Sequence, residues 1–190
     1  TTRRKIAASR SALGWHLYPL FRLHTRQEQE VSCRHPLLSK RYETCQHCVL
    51  VERLVGANAP KLDQKWYLAA LLHDAPEYVI GDMITPFKHV LGGIYRDIES
   101  GLDRAVNIRF GLPPSPPESV QRSIKRADRM AAWLEATQLA GFSEAEAAKI
   151  FIKPAGTPAN IRLRPQSPDD AAASFLRRFS ILGGYKKQIK

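Results

Sequence analysis

Residues 68–88, LAALLHDAPEYVIGDMITPFK, place four titratable groups beside an apolar run of the kind that a helix buries in a core. His73 and Asp74 follow the apolar residues directly, and Glu77 and Asp82 come a few positions later. Burying an unpaired carboxylate is costly, so such groups usually have a binding partner. The stretch therefore predicts that a metal ion, a salt bridge or a substrate meets these side chains.

Apolar spacing in the rest of the chain predicts helices. One-face periodicity indicates helices over residues 45–55, 64–72, 94–110, about 119–141, 143–151 and 169–179. We expect the second of these to continue into the quoted stretch. Ser143 and Glu146 have the spacing of a capping box, while Gly81 and Pro86 interrupt the pattern and put Asp82 in a turn or loop. The expected fold class is all-α, a helical bundle.

Composition favours one soluble, cytoplasmic domain. A chain of 190 residues with 44% hydrophobic residues can bury one sizeable core, and no apolar run approaches the length of a membrane span. No membrane partner is therefore expected. Cys33, Cys45 and Cys48 are too few for a disulfide framework, and the CQHC motif at 45–48 lacks a second pair for zinc or a strand for a redox site. We interpret these cysteines as small buried residues in a reducing cytoplasm.

The net charge of +11 is concentrated at the two ends of the chain. Residues 47–159 carry thirteen basic and thirteen acidic side chains, so the surplus lies before and after them. We divide the chain into a basic segment 1–42, a core 43–153, and a region 154–190 with a proline-containing arm, a short helix and a basic tail. Basic arms around a neutral core can attract small anions or contact the phosphates of a polymer.

Two further residues join the His73-Asp74 pair in a recognisable pattern. His47 lies in an earlier predicted helix and Asp128 in a later one, each beside apolar residues. Taken singly, His47 could be a hydrogen-bonded core residue and Asp128 a surface salt-bridge partner. Together, two imidazoles and two carboxylates suit a divalent cation such as Mn, Co, Fe, Ni, Zn or Mg.

The pattern H…HD…D resembles that of the HD superfamily of metal-dependent phosphohydrolases. LLHDAPEYVIGDMITPFK further resembles the corresponding stretch of its 5'-deoxynucleotidase (YfbR-like) branch, and the resemblance covers about residues 41–152. It implies an HD-domain helical bundle, a set of four metal ligands and a homodimer. The implied ligands are His47, His73, Asp74 and Asp128.

The same resemblance implies roles for three other residues, Glu77, Asp82 and Arg41. Glu77 would orient water or protonate the leaving group, and Asp82 would contact the sugar hydroxyl or the water. Arg41 would contact phosphate, with Lys88 and Arg129 as further candidates to offset phosphate charge. The implied substrate is a nucleotide.

Three functions stay open on the sequence alone. A 5'-deoxynucleotidase that releases phosphate from deoxynucleoside 5'-monophosphates is favoured by the GDMITPFK match. A nucleoside triphosphate or (p)ppGpp hydrolase would use the same four ligands. A nucleic-acid-binding protein with a vestigial HD core would explain the basic ends, although it is not favoured.

Overall fold

A computed structural model describes residues 36–80, 85–151, 153–158 and 160–184, with the backbone alone for 36–43, 78 and 85–91. Asp82 lies outside the described residues. The helices are α1 Pro36–Asn58, α2 Gln64–Leu71, α3 Ala75–Ile80, α4 Thr85–Arg109, α5 Glu118–Gln138, α6 Glu144–Ile150 and α7 Pro168–Ile181. No strand occurs in this part of the chain, so the all-α prediction is confirmed.

Local capping signals explain several helix ends. Asp63 caps α2 by accepting a hydrogen bond from the Lys65 backbone N–H at 3.1 Å. The predicted capping box of α6 is present, since Ser143 and Glu146 each bond the backbone N–H of the other. Gly111, with a φ of 69°, follows the end of α4 as predicted. These contacts satisfy donors that a helix terminus otherwise leaves without partners.

Two helices begin earlier than their apolar spacing indicates. Helix α1 starts at Pro36, since proline fits a first helical position and the residues that follow it tolerate helix. Helix α4 starts at Thr85 and is broken at Gly92, whose φ of 63° lies in the left-handed region. The predicted start near residue 94 corresponds to the part of α4 after this break.

The core forms around α1, which contacts α2, α5 and α7. One apolar cluster lies between α1 and α5, where Val51, Leu54 and Met130 are fully buried. A second cluster joins α2 to α7 and includes Leu68 and Phe179. Truncating one of these buried side chains to alanine would cost about 2–5 kcal/mol. The core therefore holds α1, α2 and α5 together. His47 lies on α1, Asp128 lies on α5, and His73 and Asp74 come just after the end of α2.

A buried ion pair also attaches α7 to α1. Arg178 donates two hydrogen bonds to the carboxylate of Glu52, at 2.9 Å from Nε and 2.6 Å from Nη2. The Glu52 side chain is only 4% exposed.

Among the described helices, none is long and apolar enough to cross a membrane.

Candidate functional site

His73 and Asp74 lie in a turn between α2 and α3, and not inside a continuous helix. Our expectation that the helix of residues 64–72 continues into this stretch is wrong. The cause is Pro76, which has no backbone N–H and whose ring would collide with the carbonyl of Leu72 in an uninterrupted helix. In the turn, two adjacent side chains can reach the same place, which one strip of a helix would not allow.

The ring of His73 is oriented by a backbone hydrogen bond. Its Nδ1 lies 2.9 Å from the carbonyl oxygen of Ala70, which can only accept, so Nδ1 carries the proton. In the neutral ring, Nε2 then carries a lone pair. This atom is buried and makes no hydrogen bond to any residue the structure describes, although Asp74 Oδ1 lies 3.1 Å away. With the neutral ring, two acceptor atoms thus face each other without a donor between them.

Like His73, His47 on α1 has Nδ1 next to an acceptor and Nε2 directed at Asp74. Its Nδ1 lies 2.9 Å from Glu135 Oε2, while its Nε2 lies 3.2 Å from Asp128 Oδ1 and 3.6 Å from Asp74 Oδ2. The rings of His47 and His73 are 5.4 Å apart between centroids. A histidine that donates from one nitrogen to a carboxylate presents the other nitrogen to a metal, as many metal-binding histidines do.

The charges around this group keep a proton on His47. Although burial lowers the pKa of His47, its hydrogen bonds to Asp128 and Glu135 raise it to about 10. Burial raises the pKa of Asp128, but the hydrogen bond with His47 and the charge of His73 bring it below its ordinary value. A positive charge between the imidazole and the carboxylates is therefore favoured, whether a proton or a metal ion supplies it.

The donor set fits a metal ion. Ligand atoms of His47, His73 and Asp128 all lie within 4.8 Å of one another, as do those of Cys48, His73 and Asp74. The buried lone pair of His73 Nε2 is the feature that protein atoms leave unsatisfied. The structure thus brings together the four residues of the predicted ligand set, in groups that could hold a metal ion.

Cys48 is the member of these groups that the sequence analysis set aside. It is buried as predicted, at 3% exposure, and burial raises the pKa of its thiol well above the ordinary value. Burial also raises the pKa of Cys45 to about 11. Both thiols therefore keep their protons at neutral pH, which makes them poor nucleophiles. The position of Cys48 beside His47 in the chain is the signal that places it near the ligands.

A cavity of about 550 Å³ opens from the cluster. Its lining includes His73, Asp74 and Asp128 together with the predicted catalytic residue Glu77. It continues to α4 and to the proline-rich connection between α4 and α5. The other lining residues are Ala69, Pro76, Glu99, Ser100, Asp103, Arg104, Asn107, Pro114, Ser115, Pro116, Gln121, Ile124 and Lys125.

The predicted phosphate contacts lie in different places. Arg129 is an exposed neighbour of Asp128 and is not among the lining residues, whereas Lys125, one helical turn before Asp128, is. Arg41 belongs to α1 and Lys88 to α4, and the structure does not describe their side chains. The sequence analysis also missed Glu135, although it lies two turns after Asp128 on the same helix and so on the same face.

An all-helical protein with a His/Asp cluster that could hold a metal ion is the class that this fold and site define. No known family model matches the chain. It is 49% identical over 144 residues to "Uncharacterized protein RCAP_rcc00048" of Rhodobacter capsulatus, covering 74% of this chain and 72% of that protein. The chain belongs to the family of that protein. "Uncharacterized protein YfdR" of Escherichia coli K12 is 29% identical over 152 residues, 79% of this chain and 76% of its own.

Proposed function

We propose that this protein is a divalent-metal-dependent phosphohydrolase of the HD type that acts on nucleotides. Its favoured reaction is release of phosphate from deoxynucleoside 5'-monophosphates. The observation that carries the proposal is the convergence of His47, His73, Asp74 and Asp128 at the edge of a cavity of about 550 Å³. A cavity of this size is in the range that small-molecule ligands occupy.

The four converging residues would hold the ion through two imidazole nitrogens and two carboxylate oxygens. Such a mixed set suits Mn, Co, Fe, Ni, Zn or Mg. A bound divalent ion supplies a Lewis acid for a phosphoryl oxygen and lowers the pKa of water. Glu135 would orient His47 through the contact of 2.9 Å, and the carbonyl of Ala70 would orient His73.

Glu77 would then act as the general acid or base of the reaction. It lies in the first turn of α3 and lines the cavity next to His73 and Asp74. A carboxyl group there can give a proton to the leaving alcohol oxygen when the P–O bond breaks, or take one from the attacking water. In the same proposal, Asp82 contacts the sugar or the water, and Arg41 and Lys88 contact phosphate.

Phosphate release measured with a panel of metals and substrates tests the proposal. The purified chain would be stripped with a chelator, loaded with each divalent ion, and given mononucleotides, triphosphates and (p)ppGpp. We expect release from deoxynucleoside 5'-monophosphates that needs the metal and stops again on chelation. If no ion restores release from any of these compounds, the proposal is wrong.

The same preparation tests the nucleic-acid alternative. Binding to a polymer through several phosphates weakens steeply as salt rises, because counterions are released on binding. Hydrolysis of a mononucleotide should change much less over the same salt range. A protein that binds oligonucleotides with a steep salt dependence and hydrolyses nothing would favour the binding function.

A further inference from the structure

Two chemically different sets of residues line the cavity. One set comprises His73, Asp74 and Asp128, the proposed ligands. The other set belongs to α4 and to the connection from Pro114 to Pro116. A phosphate bound at the proposed ligands leaves this second set to contact the part of a substrate that carries the phosphate.

The second set includes an acceptor that has no partner among the described residues. Asp103 on α4 is half-buried, lines the cavity, and makes no hydrogen bond or ion pair with any residue in the described ranges. Burial raises the pKa of its carboxyl group above the ordinary value, and the charges of His73 and Arg104 offset this only in part, so Asp103 and His73 lie within electrostatic reach. An ionised carboxylate only accepts hydrogen bonds. This wall therefore suits a ligand group that donates, such as a hydroxyl.

Lys125 adds a positively charged side chain to the cavity lining. Lys125 lies three residues before Asp128 on α5, so both project from neighbouring positions of one helix face. Its ammonium forms no ion pair with a described residue, in contrast to Lys65, which pairs with Asp63 at 3.2 Å. A phosphate held next to Asp128 would therefore find a positive charge one helical turn away.

We propose that Lys125 contacts the phosphate of the substrate and that Asp103 accepts a hydrogen bond from a sugar hydroxyl of its leaving group. The proposal rests on the phosphohydrolase function argued above. For a deoxynucleoside 5'-monophosphate, the hydroxyl in question is the one at the 3' position. The two residues would then define the substrate class as a phosphate monoester of a hydroxylated, nucleoside-sized alcohol.

The charge of the cavity agrees with one phosphate. The described lining contains five carboxylates, from Asp74, Glu77, Glu99, Asp103 and Asp128. Its basic side chains are two, Arg104 and Lys125. A divalent ion added to this lining leaves it slightly negative, which disfavours the several charges of a triphosphate more than those of a monophosphate.

The test compares the variants on three phosphate monoesters, of which only one has the sugar hydroxyl that Asp103 should contact. The substrates are a deoxynucleoside 5'-monophosphate, its 2',3'-dideoxy counterpart, and p-nitrophenyl phosphate, which has no sugar. We expect Asp103→Ala to lower kcat/KM for the deoxynucleotide by roughly 10- to 100-fold, the effect of losing a hydrogen bond to a charged group. The same variant should leave the dideoxynucleotide and p-nitrophenyl phosphate unchanged.

Lys125→Met should instead lower kcat/KM for all three compounds, because each carries the phosphate. Asp97→Ala and Lys149→Met are matched controls, since both residues are exposed and lie outside the cavity lining. Equal losses on all three substrates in Asp103→Ala would overturn the hydroxyl contact. A loss for the deoxynucleotide alone in Lys125→Met would overturn the phosphate contact.

A binding measurement separates this inference from the proposed function. Thermal shift or calorimetry with a deoxynucleoside that has no phosphate needs neither metal nor turnover. We expect the parent chain and Asp97→Ala to bind it and Asp103→Ala to bind it at least tenfold more weakly. If Asp103→Ala binds it equally well, the inference fails even where phosphate release is observed. If no compound is hydrolysed, the proposed function fails while this comparison still tests Asp103.

Discussion

Helix α1 carries two polar regions that are built in opposite ways, a buried one at Glu52 and a half-buried one at His47. At Glu52, two hydrogen bonds from Arg178 satisfy both carboxylate oxygens, so the pair is complete with protein atoms alone. At His47, the ring nitrogen Nε2 faces the carboxylates of Asp128 and Asp74. The nearby Nε2 of His73 is buried without a hydrogen bond from the described residues.

The difference between the two regions shows what the side chains around His47 and His73 need. A buried carboxylate is stable when a matched donor such as a guanidinium neutralises it. Around His47 and His73, acceptors outnumber the donors that the described chain supplies, and a cation is the simplest way to satisfy several acceptors at once. Substitutions in the Glu52 region should therefore affect folding stability alone. Substitutions around His47 should have effects that depend on a metal.

Removing Asp74 should have the largest effect, because it faces both imidazoles. Asp74→Ala would leave too few donors for the ion, so we expect the protein to lose its metal and its phosphatase activity. Elemental analysis after loading and desalting measures the metal. In the parent chain, metal at a hundredfold excess over its Kd should stabilise the fold by about 2.7 kcal/mol, and this gain should disappear in the variant.

The control for this prediction is Asp97→Ala on the exposed face of α4, which should keep both metal and stabilisation. Stoichiometric metal in Asp74→Ala would contradict the proposed ligand set. An equal melting temperature of the parent chain with and without chelator would contradict a metal site altogether.

Glu77 separates chemistry from metal binding. Because it lines the cavity beside the cluster and is not one of the proposed ligands, Glu77→Gln should retain metal while lowering turnover by about 10²–10⁴-fold, the contribution of a general acid or base. Metal content, melting temperature and initial rate should be measured on one preparation. A structural role for Glu77 would show the reverse, with lower stability and normal turnover per folded molecule.

Arg178→Met probes the region that is complete by itself. The change leaves the Glu52 carboxylate buried and unpaired, so we expect a loss of about 3 kcal/mol, at the low end for buried pairs because the Arg178 side chain is 34% exposed. For a chain of this size, that corresponds to a fall in Tm of about 10 °C. The fall should be the same with and without metal. A loss that metal restores would mean that the two regions of α1 are coupled.

Helical periodicity was enough to predict most of this fold. Apolar spacing and glycines mark where α2, α5 and α7 begin and end, because burial of one face determines those residues. The start of α1 was missed because the sequence analysis assigned residues 1–42 to a basic segment and did not use Pro36 as a helix start. The turn at His73 was missed because Leu72, His73 and Asp74 all tolerate helix, and the signal lay in Pro76 further on.

The site was predictable only in part for a related reason. His47, His73, Asp74 and Asp128 form a pattern of residue types, which a sequence displays directly. Glu135, Asp103 and Lys125 belong to no such pattern, and long-range packing brings their helices to the cluster or its cavity. Contacts between residues far apart in the chain, such as Glu135 with His47, follow from packing that periodicity does not specify.

Glu135 provides the smallest predicted effect and the sharpest comparison of the two regions. Its carboxylate accepts the Nδ1 hydrogen bond of His47 at 2.9 Å, as Glu52 accepts the bonds of Arg178. Glu135→Gln keeps an oxygen that can accept this bond but removes the charge that makes the imidazole a stronger donor to metal. We expect metal affinity to fall about 10-fold, and about 100-fold in Glu135→Leu, which also loses the orientation of the ring.

The identical substitution Glu52→Gln is the matched control for Glu135→Gln. It should lower the melting temperature and leave metal affinity unchanged, because the Glu52 and Arg178 pair has no contact with the ligand nitrogens of His47 or His73 in the described structure. Titration of metal-free protein against a competing chelator measures all the affinities under one condition. If Glu135→Gln and Glu52→Gln weaken metal binding equally, the change reflects general loss of stability, and Glu135 has no specific part in holding His47.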